Sequence, residues 1–209
     1  MSGLSEKLDK IAGTIRANLQ AKDAAREKVL PLCREAIRYC SQSIRAIHRQ
    51  EFDKAKDMLA SAQKLVADAV NAVADYDELK KHHALLDAQK EYAEGRITLA
   101  LITKQELPTP GELGVADAAY LNGLGEAVGE LRRYILDGLR KGDLSRGEEL
   151  LQAMDDIYDV LVTMDFPDAI TGSLRRTTDM VRAVLERTRS DLTLTIQQKS
   201  LEDKLKEIE

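Results

Sequence analysis

Several residue types that support particular folds and chemistries are scarce in this chain. Its 209 residues include no Trp, 4 Pro, 3 His and 2 Cys. The two cysteines, Cys33 and Cys40, lie two turns apart on one predicted helix, about 10 Å, which is too far for a disulfide within that helix. No Cys or His neighbours accompany them as a zinc site requires, and the histidines form no recognisable Ser/His/Asp or Cys/His arrangement. We therefore expect buried, reduced thiols and chemistry that does not depend on His or Cys.

Long apolar runs and a strong charge of one sign are also missing. No stretch approaches the roughly 18 apolar residues of a membrane span. The N-terminal sequence MSGLSEKLDK lacks the apolar core of a signal peptide. We expect a cytoplasmic protein without membrane contact. The formal charge of −5 gives no overall signature of nucleic-acid binding, so contact with phosphates would require a local basic patch or a metal.

The residues that are present predict an all-α fold. Apolar residues make up 44% and charged residues 32% of the chain, which is typical of long amphipathic helices. We expect a single domain over 1–209, a bundle of about six or seven mostly long helices. The expected long helices are 4–49, 51–75, 77–103, 115–141, 146–164 and a last one from Asp168 or Ser173 to the C-terminus. Pro31 should kink or divide the first.

The first predicted helix has an apolar stripe and a basic face. The stripe begins with Leu4, Leu8, Ile11, Ile15 and Leu19, at three- and four-residue steps. After Pro31 the opposite face carries Arg34, Arg38, Arg45 and Arg49, with His48 beside them. A solvated basic face is the simpler interpretation, and a track for nucleic-acid phosphates is the alternative.

Two pairs of glutamates stand at helical spacing. Glu91 and Glu94 are three residues apart in KEYAEG (90–95), and Glu126 and Glu130 are four apart in YLNGLGEAVGEL (120–131). Either spacing places both carboxylates on one face of a helix. With 36 acidic residues in the chain, such pairs also arise on ordinary solvated faces, so spacing alone does not define a site.

Three glycines surround the second pair and point to a helix crossing. Gly123, Gly125 and Gly129 each weaken a helix by roughly 0.5 to 1 kcal/mol relative to Ala, which is tolerated where backbones must pack closely. If the helix of the first glutamate pair crosses here, four carboxylates converge. A divalent metal or partial protonation would relieve their repulsion.

These segments resemble the translin/TRAX family. TRAX-type subunits carry a Y-L-x-G-x-x-[DE]-x-x-G-E-L segment, to which YLNGLGEAVGEL is similar without a gap, and an E-Y-x-E pair one helix earlier, here EYAE at 91–94. Further similarities are GDLSR at 142–146 and IYD at 157–159. The resemblance follows the helix order over roughly residues 30 to 190.

The resemblance implies a fold, an assembly and an activity. The family consists of all-helical proteins that form hollow octamers and bind RNA or single-stranded DNA, and its TRAX subunit is a Mg²⁺-dependent endoribonuclease. The resemblance implies that four residues are catalytic metal ligands or hold a water: Glu91, Glu94, Glu126 and Glu130. The implied metal is Mg²⁺, with Mn²⁺ as the second choice. The position of Glu126 is Asp in TRAX proteins. We therefore predict a homo-oligomer, by resemblance an octamer, that cleaves single-stranded RNA inside its shell by in-line attack of an activated water.

Three alternatives remain open at the level of the sequence. The first is a non-catalytic, translin-like shell that binds RNA or single-stranded DNA, with the four arginines lining it. The second is an all-α nucleotide pyrophosphohydrolase, although that class has E-x-x-E followed by E-x-x-D, whereas the second pair here is spaced by four. A ferritin-like di-iron bundle would need Glu-x-x-His motifs, which are absent. The third is a structural bundle in which every carboxylate is solvated separately.

Overall fold

The computed structural model describes residues 2–206, which form nine helices and no strand. The six long helices are α1 (Ser2–His48), α2 (Phe52–Ala72), α4 (His83–Thr103), α6 (Asp117–Leu139), α7 (Gly147–Val162) and α9 (Leu174–Lys206). The three short ones are α3 (Asp77–Lys80), α5 (Pro110–Leu113) and α8 (Asp168–Thr171). The all-α prediction is confirmed, and the six long helices correspond to the six expected from periodicity.

The first helix runs through Pro31 without being divided. Pro31 lies inside the 47-residue α1, although a proline removes one backbone hydrogen bond and crowds the preceding turn. Val29 and Cys33 on either side of it are 2% and 1% exposed. Packing of these neighbours against the bundle holds the helix together. Of the two outcomes predicted at Pro31, a kink or a division, the division is therefore wrong.

The two halves of α1 have different surroundings. Leu4, Leu8, Ile11, Ile15 and Leu19 are exposed, whereas the second half packs against α2 and α4. Both cysteines are free and buried in that second half, as expected. Burial, with the charge of Glu91 and Glu94 as smaller contributions, raises the pKa of Cys40 to about 12, so this side chain stays a thiol at neutral pH.

Two predicted helices are each divided into a short and a long one. The expected helix over 77–103 is α3 followed by α4, because His82 adopts an extended conformation and caps α4. Its Nδ1 accepts a hydrogen bond from the Ala84 N–H at 3.2 Å, which satisfies one of the free donors of a helix start. For a start at Asp168, the expected last helix is α8 followed by α9, with Gly172 and Ser173 at positive φ between them. The alternative start at Ser173 agrees with the beginning of α9 at Leu174. The end of the expected helix at 207–209 lies outside the described residues.

The centre of the bundle is the pair α4 and α6. α4 packs against α1 and α2 on one side and against α6 on the other, while α7 and α9 cover α6. Eleven of the 21 residues of α4 are buried, and Lys90, Glu91 and Glu94 on this helix are partly buried. None of the helices between Ser2 and Lys206 combines the length and the apolar character needed to cross a membrane.

Candidate metal centre at the α4/α6 crossing

A single glycine sets the distance between the two central helices. A Cβ placed on Gly123 of α6 would lie 2.7 Å from the carbonyl oxygen of Lys90 and 3.0 Å from the backbone nitrogen of Glu94 on α4. No larger residue fits there without separating the helices. Gly125 instead faces side chains of α7 and α9, and Gly129 has open space around it. The predicted close packing is therefore confirmed at Gly123, while Gly129 is not needed for it.

The crossing brings three of the four predicted carboxylates together. One carboxylate oxygen from each of Glu91, Glu94 and Glu126 lies within 4.8 Å of the other two. All three residues are partly buried. We call this group the carboxylate cluster. Glu130 is not among the residues that meet this distance.

Burial and mutual repulsion raise the pKa of two carboxyl groups in the cluster. Burial is the largest cause that raises the pKa of Glu94 to about 8, and the charges of Glu91, Glu126 and Glu130 raise it further. Burial also raises the pKa of Glu91, against the opposing charge of Lys90 and with that of Glu126. At neutral pH, Glu94 therefore favours its protonated form.

A lysine that the sequence analysis did not consider lies at the cluster. The Nζ of Lys90 donates to Glu126 Oε1 at 2.7 Å and lies 3.6 Å from Glu91 Oε1. Burial alone would lower the pKa of Lys90, but the hydrogen bond and charge of Glu126 outweigh it and raise the pKa. The side chain is therefore an ammonium. Its position four residues before Glu94 was a usable signal, since residues i and i+4 share a helix face.

Glu130 is held separately, by a histidine from α1. The Nε2 of His48 lies 2.5 Å from Glu130 Oε2, and Arg133 approaches the same oxygen at 3.8 Å. The His48 side chain is 5% exposed, and its Nδ1 is buried without a hydrogen-bond partner. His48 thus faces the core, and its expected place beside the basic face of α1 is wrong. No sequence signal pointed to this contact, which joins residues 82 positions apart.

The four predicted phosphate-binding arginines, three on α1 and one directly after it, remain at the surface. Arg34, Arg38, Arg45 and Arg49, which we call the arginine face, are all exposed. Arg38 pairs with Glu35 at 2.9 Å, and the Nε of Arg45 donates to the carbonyl of Ser41 at 3.1 Å. Such contacts in water leave most of the guanidinium donors available for a phosphate.

A cavity of about 540 Å³ opens beside the carboxylate cluster. It lies between α4, α6 and the start of α9, and its lining includes Lys90, Asn122, Glu126, Arg176 and Thr177. Asn122 is fixed there, because its side-chain nitrogen donates to two backbone carbonyls and its oxygen accepts from the Thr177 hydroxyl at 2.6 Å. The cavity has the size of a small-molecule site.

The donor set of the cluster suits a hard divalent cation. Mg²⁺ and Mn²⁺ prefer oxygen ligands, which the three carboxylates supply, while His or Cys ligands would favour zinc or a softer metal. The raised pKa of Glu94 shows that the position would gain from added positive charge. The residues present therefore fit the magnesium that the resemblance implies.

Known proteins share this arrangement of helices. The chain is 31% identical over 193 residues to an uncharacterized protein of Methanocaldococcus jannaschii, an alignment that covers 91% of this chain and 85% of that protein. Among solved structures, AfC3PO in complex with duplex RNA superposes with a TM-score of 0.82 at 33% identity, over 90% of this chain and 97% of that one. The apo form of NeC3PO gives a TM-score of 0.78 at 18% identity, over 88% and 96%. No family model matches the sequence.

The arrangement of the helices, shared with AfC3PO at 33% identity, defines an all-α protein of the translin type. The crystal structure of AfC3PO without RNA gives a TM-score of 0.81 at 32% identity. The alignment covers 97% of AfC3PO and 90% of this chain. The chain belongs to the translin/TRAX family.

Proposed function

We propose that this protein is a metal-dependent endoribonuclease whose centre is the carboxylate cluster. Glu91, Glu94 and Glu126 would hold Mg²⁺, or Mn²⁺ in its place, and Glu130 would be a fourth ligand or hold a water. The observation that carries the proposal is the convergence of three partly buried carboxylates within 4.8 Å of one another.

The side chains of the cluster are prepared to receive a cation. Glu94 would hold the cation in its deprotonated form, which added positive charge favours, since the cause of its raised pKa is burial among like charges. Glu126, whose carboxylate accepts from Lys90 in this structure, would be the third ligand. His48 keeps Glu130 oriented through its ring nitrogen. A bound Mg²⁺ supplies polarisation of the scissile phosphate and activation of a water for in-line attack.

RNA is the substrate that the comparisons support. The related AfC3PO has been solved with duplex RNA, and the exposed arginine face offers donors suited to phosphates. We propose single-stranded RNA as the cleaved form, with single-stranded DNA as a further ligand, because the family resemblance implies both. With so few aromatic side chains to stack bases, we expect little sequence preference.

We also propose that the active form is a hollow homo-oligomer, by resemblance an octamer, with the clusters facing inward. The exposed apolar side chains of the first half of α1, 47% to 67% exposed, are suited to contacts between subunits. An inner basic lining would hold RNA phosphates, while the acidic outer surface keeps the protein soluble.

One observation favours a non-catalytic, RNA-binding shell instead. The ammonium of Lys90 already supplies a positive charge to Glu126 and Glu91. A cluster that is partly neutralised from within the chain has less need of a metal, and a protein without the metal would bind RNA without cutting it.

Cleavage of labelled RNA separates these functions. Single-stranded and duplex RNA are incubated with the full-length protein in Mg²⁺, in Mn²⁺ and in EDTA. The variants are Glu126→Gln and, as a matched control, Asp137→Asn, which removes an acid of the same helix that pairs only at the surface with Arg140. Metal-dependent cutting that is lost in Glu126→Gln and kept in Asp137→Asn supports the nuclease. RNA binding without cutting under all conditions supports the shell.

A further inference from the structure

Lys90 is placed at the carboxylate cluster by the same turn of α4 that carries Glu91 and Glu94. Its ammonium lies 2.7 Å from Glu126 and 3.6 Å from Glu91. A metal cation bound by the same two carboxylates would therefore lie close to this ammonium. Lysine side chains in protein cores are costly unless they are paired. The pairing with Glu126 therefore accounts for the stability of Lys90 at this half-buried position.

We propose that Lys90 is a displaceable counter-ion: it competes with the divalent metal for Glu126, and once displaced it turns into the adjacent cavity to hold an RNA phosphate. The second half of this inference rests on the proposed nuclease function. The first half, competition with the metal, does not.

Competition follows from the charges and distances at the crossing. Glu126 Oε1 accepts a hydrogen bond from the ammonium, and a metal on the same carboxylate would lie within a few Å of that positive charge. Like charges at such separations repel strongly where water is partly excluded. The ammonium must leave Glu126, or the metal binds more weakly. Removing the charge of Lys90 should therefore tighten metal binding.

The structure has room for the displaced side chain. Lys90 and Glu126 line the same cavity of about 540 Å³, and the flexible four-carbon stem of a lysine can turn about its own bonds. Arg176 lies on the same wall and is exposed. When a metal takes Glu126, the charged side chains left in the cavity are Lys90, Arg176 and Asp87, which together are positive. A phosphate group is the ligand that this net positive charge would favour.

The first test measures metal binding without any RNA. Mn²⁺ binding to the metal-free, full-length protein is followed by the loss of the free-ion electron paramagnetic resonance signal. Lys90→Met, Lys90→Arg and wild type are compared with Lys64→Met, which removes an exposed lysine of α2. We expect the Mn²⁺ dissociation constant to fall on the order of tenfold in Lys90→Met. Lys90→Arg, which keeps the charge, and Lys64→Met should stay near wild type.

The second test measures RNA cleavage by the same proteins at saturating Mn²⁺. We expect the rate to fall by about tenfold in Lys90→Met although its metal binds more tightly, because one charged contact to phosphate is lost. These opposite directions are the signature of displacement, since a merely structural lysine would weaken both properties. Partial recovery of the rate in Lys90→Arg supports the phosphate contact.

The outcomes separate this inference from the proposed function. Unchanged or weaker Mn²⁺ binding in Lys90→Met overturns the competition, even if wild type cleaves RNA. Tighter Mn²⁺ binding together with an unchanged cleavage rate overturns the phosphate contact. If wild type does not cleave RNA at all, the nuclease proposal and the phosphate contact both fail, while tighter Mn²⁺ binding in Lys90→Met still supports the competition.

Discussion

The carboxylate cluster and the arginine face are both sets of like charges at helical spacing, yet their surroundings differ. The side chains of Glu91 and Glu126 are 28% and 32% exposed, against 57% for Arg38. The acids lie where α6 crosses α4, and the arginines lie on the solvent side of α1 and directly after its end. Spacing determines which residues share a face, but the neighbouring helix determines whether their charges repel or are screened.

This difference has an energetic consequence. Exposed ion pairs such as Arg38–Glu35 contribute between about 0 and 1 kcal/mol, because water and salt screen them. Carboxylates held together under a second helix interact through less water. Their burial and repulsion disfavour the charged forms, and the pKa values of Glu91 and Glu94 are therefore raised. The like charges of the cluster therefore oppose folding, and Lys90 offsets only part of this cost. A bound divalent cation would add stability to the folded state.

The largest expected effect is on catalysis by Glu94→Gln. This change removes one charge from the cluster and one oxygen ligand, and we expect RNA cleavage in Mg²⁺ to fall by about 100-fold or more. Glu35→Gln, which removes an exposed acid beside the arginine face, should keep its activity. Rates are measured under single-turnover conditions with labelled single-stranded RNA. Equal activity of the two variants would remove Glu94 from the site.

The pH dependence of stability is the next largest effect. The pKa of Glu94 is raised to about 8 in the folded protein, so between the ordinary pKa of a glutamate, about 4.3, and pH 8 the folded state binds more protons than the unfolded state. The free energy of unfolding in EDTA should therefore fall as the pH rises from 5 to 8, by about 2 to 4 kcal/mol.

Urea unfolding followed by circular dichroism checks this prediction, at one protein concentration because subunit contacts also affect stability. Glu94→Gln should flatten the decrease, and it should be more stable than wild type at pH 8 in EDTA. Glu35→Gln should follow the wild-type curve. A decrease of the same size in Glu94→Gln would assign the effect to other groups.

The crossing itself is tested by two glycines of α6. Gly123→Ala places a methyl group against the backbone of Lys90 and Glu94, which cannot move aside as a side chain does, so we expect a loss of about 1 to 3 kcal/mol of stability. Gly129→Ala meets nothing within 4 Å and should gain about 0.5 to 1 kcal/mol from helix propensity. Thermal and urea unfolding measure both. A stabilised Gly123→Ala would mean that the helices are less closely packed than described.

The sequence was informative where local rules decide the outcome. Apolar periodicity predicted the six long helices, and the glycine pattern predicted that acids from α4 and α6 meet. Lys90 was within reach of the same reasoning, because it stands one helical turn before Glu94. The short helix α5 was missed because it lies within a predicted loop and is set by the Thr109–Glu112 capping box. The segments of α3 and α8 were predicted as helix, but their separation from α4 and α9 was not.

Tertiary contacts account for what the sequence did not predict. His48 belongs by position to the basic end of α1, but packing turns it inward to Glu130. Pro31 should interrupt a helix by local propensity, and burial of its neighbours overrides that tendency. The roles of the four glutamates and four arginines stay predictions, since positions alone do not establish them.

The smallest expected effect belongs to single residues of the arginine face. Arg45→Gln should weaken binding of single-stranded RNA in EDTA by about two- to fivefold and lower the slope of log affinity against log salt by about 0.7, the value for one phosphate contact. Its stability should stay within about 0.5 kcal/mol of wild type, because the residue is exposed. Arg182→Gln, an exposed arginine of α9 paired with Asp179, is the control and should leave the salt slope unchanged. If both variants lower the slope equally, RNA follows the overall surface charge and the arginine face has no special role.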